Sequence, residues 1–497
     1  MESGKLQRTE RLKDKLKEYA GGDFYPYHMP GHKRRDFFDF PKKITSLDIT
    51  EIDGFDNLHA PSGILKCIEE RLAYLYSADE SHMLINGSTA GVLSAISACI
   101  SDAERTIGSA IIMGRNSHKS AYHAAYICDA PVTYLHENES LLINAKDVEE
   151  ALLKEEAMGR RVGCVFITSP TYEGVVQDVM SIAKVCHLHD VSLIVDAAHG
   201  AHLGFSESFA ENPVKLGADI CIMSLHKTLP SLTQTAVVHL KGKRVDRRRL
   251  GRFLRIYQSS SPSYILMASI DECTAFLEGE SVRRPNLFDE FAGRYKDFLN
   301  KVKRFENIYA GGFLEGDDGK TCDIGKCIIK DKNGVLSGKN IYDILRSEFM
   351  LQLELSGNEY CLSMFTVMDE DDAYDRMYGA LSEIDVNYYK YLEKSKAECL
   401  DGRDEGTEIK VCVLKDEYVN PEKGKQKGIR AAWDAEFEAL DIGMAAGRIS
   451  AEFVSIYPPG TPIVVPGEVY DEKCIELITN SVRKGLNVQG IEISRDL

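Results

Sequence analysis

Asp196 and Lys227 are the residues of this sequence whose types and positions most clearly suggest chemistry. Asp196 ends the apolar segment SLIVD, and Lys227 lies in SLHKT, shortly after the apolar segment DICIMS. A lysine amine can form a Schiff base with a carbonyl compound, and a carboxylate can hold a proton on a ring nitrogen. If both segments are parallel strands, their carboxyl ends meet at one edge of the sheet. A helix cap and a solvated loop are the simpler interpretations of the two residues taken singly.

Two further segments could contribute to a site at that edge. Gly87, Ser88 and Thr89 in INGSTAG follow an apolar segment and open a helical pattern, so their amides could bind a phosphate group. A simple turn with a helix cap is an equally good interpretation, because the spacing matches neither the Walker motif nor the dinucleotide motif. His118 in RNSHKSAYHA begins another helical pattern, where its imidazole could lie on a planar ring.

These parts together match the requirements of one cofactor. A phosphate cradle, a stacking ring, a carboxylate for a ring nitrogen and a lysine for a Schiff base are what pyridoxal phosphate needs. Ser224 and His226, next to Lys227, belong to the same constellation. The histidines could instead be structural, and His199 and His202 have no partners with the spacing of a zinc site.

Residues 82–240 predict a mostly parallel sheet with helices on both faces. Short segments rich in Val and Ile alternate with segments of helical spacing, as in parallel strands joined by helices. The predicted strands are MLI, SAIIMG, PVTYL, GCVFIT, SLIVD, DICIMS and QTAVVHL. The predicted helices are TAGVLSAISACI, KSAYHAAYICD, DVEEALLKEEAMG and DVMSIAKVCHLHD.

The rest of the chain predicts further domains. The basic segment KGKRVDRRRLGRFLRIYQ and a helix that begins at Tyr264 connect the sheet region to a smaller α/β domain. The polar segment KSKAECLDGRDEGTE predicts a linker, and YVNPEKGKQKGIRAAWDAEFEALDIGMAAGRISAEFV predicts a mostly helical start of the last module. We expect an N-terminal helical segment (1–25), a large cofactor-binding domain (26–265), a connector helix with a small domain (266–390) and a C-terminal domain (391–497).

The composition argues against several classes of protein. The 60 basic and 77 acidic side chains give a net charge of −17, which disfavours broad binding to nucleic acid or to an anionic membrane. No apolar run is long enough for a membrane helix, and the charged first residues contain no signal-peptide core, so we expect a cytoplasmic protein. The 13 cysteines form no CxxC pair and predict reduced thiols. Cys322 and Cys327 are more simply core residues than zinc ligands.

A set of ordered motifs covers most of the chain: YHMPGHK, NGSTAG, RNSHKSAYHA, SPTYEGVVQD, VDAAHGAHLGF, SLHKTLPSLTQT, QSSSPSYILMASID and YPPGTPIVVPGE. This set resembles the ornithine/lysine/arginine decarboxylases, pyridoxal-phosphate enzymes of fold type I with the aspartate aminotransferase fold. The resemblance implies a large domain on a mostly parallel seven-stranded sheet, a small α/β domain and a C-terminal α+β domain. It also implies a homodimer with active sites at the subunit interface.

The resemblance also implies roles for single residues. Lys227 would form the Schiff base with pyridoxal phosphate, Asp196 would pair with the pyridinium nitrogen, and His118 would stack on one face of the ring. Ala198 would back the other face, and His226 or Lys227 would return a proton to the α carbon after CO₂ leaves. The other implied cofactor residues are Gly87, Ser88, Thr89, His199, Ser224 and His226, with Ser259 or Ser260 reaching the phosphate of the neighbouring subunit.

The predicted activity is decarboxylation of a basic amino acid, arginine or lysine before ornithine, to agmatine, cadaverine or putrescine. Glu468 in VVPGE is the leading candidate for binding the distal substrate charge, ahead of Asp53 and Asp56 in EIDGFDNLHAPSG. A surface carboxylate is the simpler interpretation of all three. An aminotransferase or aldolase of the same fold and a catalytically idle regulatory relative are the alternatives.

The sequence departs from the family pattern in two places. Ala197 in VDAAHG stands where many relatives carry an acidic residue. The chain also opens almost directly on the catalytic region, so we expect it to lack the receiver-like wing domain of the large family members. Without that domain, there is no reason to expect their decameric assembly.

Overall fold

The computed structural model of the chain describes residues 10–21, 44–100, 109–314, 320–401, 407–415, 428–457 and 460–495. The YHMPGHK motif and parts of the two polar C-terminal segments lie outside these residues. Within them, no helix combines the length and apolar character needed to cross a bilayer.

The first region is built on a seven-stranded sheet with the order β1-β7-β6-β5-β4-β2-β3. All pairs are parallel except those of β7, which runs antiparallel to both β1 and β6. Each strand predicted from the sequence lies in this sheet, which confirms the predicted fold class. The strands are β1 (Glu80–Leu84), β2 (Ala110–Gly114), β3 (Val132–Leu135), β4 (Val162–Thr168), β5 (Ser192–Asp196), β6 (Ile220–Ser224) and β7 (Ala236–Leu240).

Successive side chains of each strand point to opposite faces of the sheet, so the core forms two layers, one on each face. In β5, Leu193 and Val195 pack into one apolar cluster and Ile194 into the other. Apolar side chains therefore cover both faces of the sheet and exclude water, which is why these strands are continuous apolar runs in the sequence. The helices of this region are α1 (Leu12–Gly21), α2 (Ile44–Leu47), α3 (Ile64–Tyr76), α4 (Gly87–Ile100), α5 (Lys119–Cys128), α6 (Ala145–Ala157), α7 (Val179–Leu188), α8 (Leu225–Thr228), α9 (Arg247–Tyr257) and α10 (Tyr264–Val282).

The basic segment forms α9, an amphipathic helix of the first region. Asp246 caps it by accepting hydrogen bonds from the amides of Arg248 and Arg249. Leu250 and Leu254 are buried in the apolar cluster that also contains residues of α4. The arginines therefore line the exposed face of a helix that packs on the first region, whereas the sequence predicted that this segment connects two domains.

The second region is an antiparallel four-stranded sheet with the order β10-β11-β9-β8. The segment predicted to be a linker is largely helical here, because α14 continues to Asp401. Tyr388 and Tyr391 bury their rings in the main core and anchor the start of that helix. The elements are α11 (Leu287–Val302), β8 (Ile308–Gly311), β9 (Lys326–Asp331), α12 (Gly338–Phe349), β10 (Leu355–Ser356), β11 (Tyr360–Met364), α13 (Asp371–Val386) and α14 (Tyr388–Asp401).

The third region contains two three-stranded sheets, β13-β12-β17 and β15-β14-β16. The prediction that its first part is mostly helical is wrong for the described residues. Only five residues there form an α-helix, and FEALD is a strand whose backbone pairs with β12. The elements are β12 (Thr407–Leu414), α15 (Ile429–Trp433), β13 (Phe437–Asp441), β14 (Val454–Ile456), β15 (Pro462–Val464), α16 (Glu472–Arg483), β16 (Val488–Gln489) and β17 (Ile491–Arg495), with a short 3-10 turn at Ile442–Met444.

Candidate active site

The predicted chemical residues lie along one edge of the large sheet. Strands β1, β2, β5 and β6 all run in the same direction, so their carboxyl ends point the same way. Asp196 is the last residue of β5, and Lys227 lies in α8, directly after β6. His118 caps α5 after β2, and Gly87 begins α4 after β1. The edge therefore carries every element of the predicted cofactor constellation.

Asp196 is a buried carboxylate with little local compensation. Its side chain is 4% exposed and accepts one hydrogen bond, at 3.1 Å, from the amide of Ala198. Burial raises the pKa of Asp196, and the charge of Lys227 opposes that rise. Since a buried anion is costly without a partner, this carboxylate is suited to pair with a cationic N–H group from a ligand.

Lys227 shares the imidazole of His199 with a second lysine. The Lys227 Nζ lies 3.0 Å from His199 Nε2, and the Nζ of Lys326 lies 2.6 Å from His199 Nδ1. Burial lowers the pKa of Lys227, although Asp196 and Glu354 favour its charged form. A lysine with a lowered pKa is a better nucleophile at neutral pH, because more of it is the free amine.

His118 presents an uncharged ring at this edge. Its Nδ1 accepts a hydrogen bond from the amide of Ser120 at 3.2 Å and so caps α5. Burial, reinforced by the charge of Lys227, lowers the pKa of His118 to about 4. A Cβ added to Gly460 of the C-terminal region would lie 3.9 Å from the His118 ring, and Thr461 donates to the backbone oxygen of Asn116 at 3.4 Å. The third region thus closes the His118 side of the site.

The predicted phosphate residues include an unsatisfied hydroxyl. Ser224 is fully buried, and its Oγ has no hydrogen-bond partner among the described residues. The Nδ1 of His226 donates to the carbonyl of Thr235 at 2.8 Å, which fixes the ring and leaves Nε2 for another partner. Gly87 adopts φ +72°, a conformation that other residues rarely take, at the first turn of α4. A buried hydroxyl without a partner is costly unless a ligand satisfies it.

Comparison with known proteins decides the family. The profile of the Orn/Lys/Arg decarboxylase major domain matches residues 11–315, and that of the C-terminal domain matches residues 412–482. This chain belongs to the Orn/Lys/Arg decarboxylase family. The arginine decarboxylase of Bacillus subtilis is 31% identical over 496 residues, which cover 96% of this chain and 95% of that protein. The arginine decarboxylase of Halalkalibacterium halodurans is 29% identical and matches 94% of this chain and 92% of its own length.

Solved structures show the same fold for the decarboxylase chain. The lysine decarboxylase of Francisella novicida aligns with a TM-score of 0.76 at 19% identity, over 97% of this chain and 79% of that chain. The constitutive lysine decarboxylase of Escherichia coli also gives 0.76, at 18% identity, over 97% of this chain and 81% of that chain.

The site of this family member fits pyridoxal phosphate. Asp196 is a buried acceptor for a ring N–H, Ser224 is a buried hydroxyl that lacks a partner, and Lys227 is an amine with a lowered pKa. Ala198 is 8% exposed and His118 is half-buried, and the family resemblance implies these two residues for the two ring faces. Ser88 is half-buried and Thr89 exposed in the first turn of α4, where backbone amides attract anions.

The three carboxylates predicted for the distal substrate charge are placed differently. Glu468 binds Arg115 with two hydrogen bonds of 2.8 and 3.2 Å and also accepts from the Val465 amide. Asp56 accepts backbone N–H groups around the start of α3, and these bonds lower its pKa against the effect of burial. Asp53 is exposed. The carboxylates of Glu468 and Asp56 therefore already have partners within the chain.

Ser259 and Ser260 are exposed in this single chain. The backbone carbonyl of Ser259 accepts a hydrogen bond from His59 at 2.7 Å. The preceding residue, Gln258, is buried and accepts from the Ile85 amide at the end of β1. The two serines thus leave the sheet edge on an anchored backbone with exposed side chains, and the Ser259 hydroxyl donates to the Ser261 carbonyl at 3.5 Å.

Sequence reasoning missed part of the site that comes from the second region. Lys326 begins β9, and its Nζ lies 5.5 Å from the centre of the Tyr172 ring. Tyr172 donates to Glu354 at 2.5 Å, and its ring meets His199 edge to face at 4.9 Å between centroids. Tyr172 stands in the predicted motif SPTYEGVVQD, but nothing in the sequence links that motif to Lys326.

Proposed function

We propose that this protein is a pyridoxal-phosphate-dependent decarboxylase of a basic amino acid, with arginine as the preferred substrate. The observation that carries the proposal is the placement of buried Asp196 and of the Lys227 amine, whose pKa is lowered, at the ends of adjacent strands. The similarity to arginine decarboxylases over nearly the whole chain favours arginine over lysine and ornithine.

The bound cofactor would supply a conjugated ring that accepts the electron pair left on the α carbon when CO₂ departs. Asp196 would keep the ring nitrogen protonated, because burial makes this carboxylate a strong acceptor that lacks an ion-pair partner among the described residues. The Lys227 amine would hold the cofactor and, with His226, would deliver the proton that replaces the lost carboxylate. His118 would cover one ring face without adding a charge, since its pKa is about 4.

We assign the distal substrate charge to Glu354 and Glu173 rather than to Glu468. Burial lowers the pKa of both lysines, but the charge of Glu354 favours the charged form of Lys227 and of Lys326, and that of Glu173 favours the charged form of Lys326, so both glutamates lie near the Lys227 end of the site. Each accepts a hydrogen bond from a tyrosine, Glu354 from Tyr172 and Glu173 from Tyr360. A guanidinium presents several donors to such carboxylates and gains paired hydrogen bonds that an ammonium cannot form.

The proposal extends to assembly and organisation. The exposed Ser259 and Ser260 support a homodimer in which these side chains reach the cofactor phosphate of the partner subunit. We further infer a cytoplasmic location and the domain boundaries 26–265, 266–390 and 391–497. Sedimentation of the pure protein with and without pyridoxal phosphate tests the dimer. A monomer that is fully active would contradict it.

The activity is tested by incubating the protein and pyridoxal phosphate separately with arginine, lysine and ornithine, and by measuring CO₂ and amine in each tube. We expect agmatine and CO₂ in equal amounts from arginine and at least tenfold less product from the other two. Formation of a 2-oxo acid without CO₂ would instead identify an aminotransferase. A protein that binds pyridoxal phosphate at Lys227 but releases nothing from any substrate would support the idle relative.

A further inference from the structure

Lys326 is a buried lysine that the proposed reaction does not use. It begins β9 in the second region, is 2% exposed and places its Nζ 2.6 Å from His199 Nδ1. The opposite nitrogen of the same imidazole lies 3.0 Å from the Nζ of Lys227. One imidazole thus bridges two lysine side chains, of which one is the proposed reactive amine.

The backbone leaves room for this arrangement at Gly174. A Cβ added to Gly174 would lie 2.7 Å from both Cβ and Cγ of Lys326, and this glycine has φ +98°. The amide of Asp323 also donates to the Gly174 carbonyl at 2.7 Å, which ties the two segments together. The lysine is therefore held by close backbone packing, and its Nζ has little freedom to leave the imidazole.

Counting protons restricts the charges that this bridge can carry. An ammonium group only donates hydrogen bonds, and a neutral imidazole has one N–H and one bare nitrogen. If one lysine donates to the bare nitrogen as an ammonium, the other must accept from the N–H as a free amine. A protonated imidazole donates from both nitrogens and would require two neutral lysines. In each case at least one of the two lysines is uncharged.

The surroundings favour Lys326 as the charged member. Burial lowers the pKa of Lys326 to about 8, but three carboxylates, Asp323, Glu354 and Glu173, favour its charged form. The Lys326 Nζ also lies 5.5 Å from the centre of the Tyr172 ring, a contact that stabilises a cation. Burial also lowers the pKa of Lys227, and fewer carboxylates, Asp196 and Glu354, favour its charged form. The charged and titratable groups that face the bridge are Asp196, Glu173, Glu354, Asp323, His118, His226 and the Tyr172 hydroxyl.

We propose, on the basis of the proposed function, that Lys326 is a positioning residue that keeps Lys227 as a free amine through His199. The Lys326 ammonium donates to Nδ1, and Nε2–H donates to the Lys227 nitrogen. A proton on Lys227 moves to Lys326 by a shift of the imidazole tautomer. The neutral Lys227 nitrogen would then be ready to condense with an aldehyde such as that of pyridoxal phosphate, where a C=N bond would form while the C=O bond breaks and its oxygen leaves as water.

The test compares cofactor capture by the cofactor-free protein across pH 6 to 10. The variants are Lys326→Met, which keeps the length and removes the charge, and Lys326→Arg, which keeps the charge. Lys330→Met on the same strand β9 is the matched control. The rate constant for appearance of the visible band with pyridoxal phosphate is measured for each protein.

We expect Lys326→Met to lower the capture rate constant at pH 7 at least tenfold and to raise the pH midpoint of capture by at least one unit. Lys326→Arg should stay closer to wild type than Lys326→Met, and Lys330→Met should match wild type. An unchanged rate constant and midpoint in folded Lys326→Met would overturn the inference while leaving the proposed function intact. A wild-type protein that captures no pyridoxal phosphate would overturn the function itself.

A measurement on the wild-type protein covers the case in which Lys326→Met does not fold. Lys227 of the cofactor-free protein is labelled with trace acetic anhydride at a series of pH values, and its extent of labelling is compared with that of exposed lysines by peptide mapping. We expect the Lys227 midpoint at least one pH unit below theirs. A midpoint equal to theirs contradicts the inference.

Discussion

Two buried clusters of ionisable side chains in this protein differ in whether the chain itself supplies the opposite charge. At the junction of α1, α3 and α10, Arg71 binds Asp271 at 2.6 Å and Glu278 at 2.6 and 2.7 Å. Asp271 also accepts from the amide of Leu12 at 2.8 Å. At the sheet edge, Lys227 and Lys326 meet across one imidazole, and among the described residues neither has a carboxylate within hydrogen-bond distance.

The difference separates a structural cluster from a functional one. In the Arg71 cluster the opposite charges compensate one another within the chain, so it needs no ligand. In the lysine cluster, two amines that would carry the same charge are buried together, which favours the neutral form of one of them and lowers the stability of the empty site. Mutations in the first cluster should therefore change the stability of the fold, and mutations in the second should change chemistry.

Lys227→Ala should have the largest effect of all, on activity alone. Loss of the amine should reduce CO₂ release from arginine by roughly 10⁴-fold or more and remove the visible cofactor band. Its melting temperature without cofactor should equal or exceed that of wild type, because a buried amine disappears. A strong loss of thermal stability would mean that Lys227 is structural.

Arg71→Met should have the largest effect on stability. It leaves the buried Asp271 carboxylate with Arg11, at 3.6 Å, as its remaining cation, and breaking a buried pair costs about 3–5 kcal/mol. Urea unfolding measures this loss, and the turnover number of the folded protein should not change. Arg247→Met removes a partly exposed pair with Glu80 and should cost less than about 1 kcal/mol.

Asp196→Asn should keep the fold and reduce decarboxylation by roughly 10²- to 10³-fold, since an amide cannot hold the ring nitrogen protonated. The visible band should still form, because the Lys227 amine is intact. Stopped-flow spectra and CO₂ assays check both points. Wild-type turnover in this variant would show that the ring nitrogen has no need of the carboxylate.

Glu468→Gln separates the two roles considered for this carboxylate. Arg115 would lose a charged partner, so stability should fall by about 2 kcal/mol. The KM for arginine should stay within twofold of wild type, whereas Glu354→Gln should raise it at least tenfold. The opposite pattern of KM values would make Glu468 the substrate residue.

The raised pKa of His82 predicts a small dependence of the stability of the fold on pH. Hydrogen bonds to Glu69 and Glu80 outweigh burial and raise the pKa of His82 to about 9. Because the folded pKa lies above the ordinary value near 6.5, this contribution is complete below pH 6.5 and is lost as the pH rises through 9. Urea midpoints at pH 6.5 and 9.5 should differ less in His82→Gln than in wild type. An equal difference would contradict the assignment.

The sheet and the catalytic edge were largely predictable from the sequence. Strands covered on both faces are uninterrupted apolar runs, so SLIVD and DICIMS could be recognised without knowledge of their neighbours. Their direction followed from the alternation with helices, and this placed Asp196 and Lys227 at one edge. The predicted strand β7 also exists, but its antiparallel direction was not evident from that alternation.

The remaining features depend on distant partners. FEALD in β13 becomes a strand because it pairs with β12, and its residues carry no apolar alternation that would separate it from a helix. Lys326 resembles an exposed residue at the start of a strand, and it meets His199 only because the fold brings together two residues that are 127 positions apart in the chain. The local sequence pattern around these residues predicts neither contact.

The most direct test of the central claim is to trap pyridoxal phosphate on the protein with borohydride and to identify the modified lysine by peptide mapping. We expect one label per chain, on Lys227, with Lys326 unlabelled. A label on Lys326, or no label on any lysine, would contradict the assignment of Lys227 as the reactive amine.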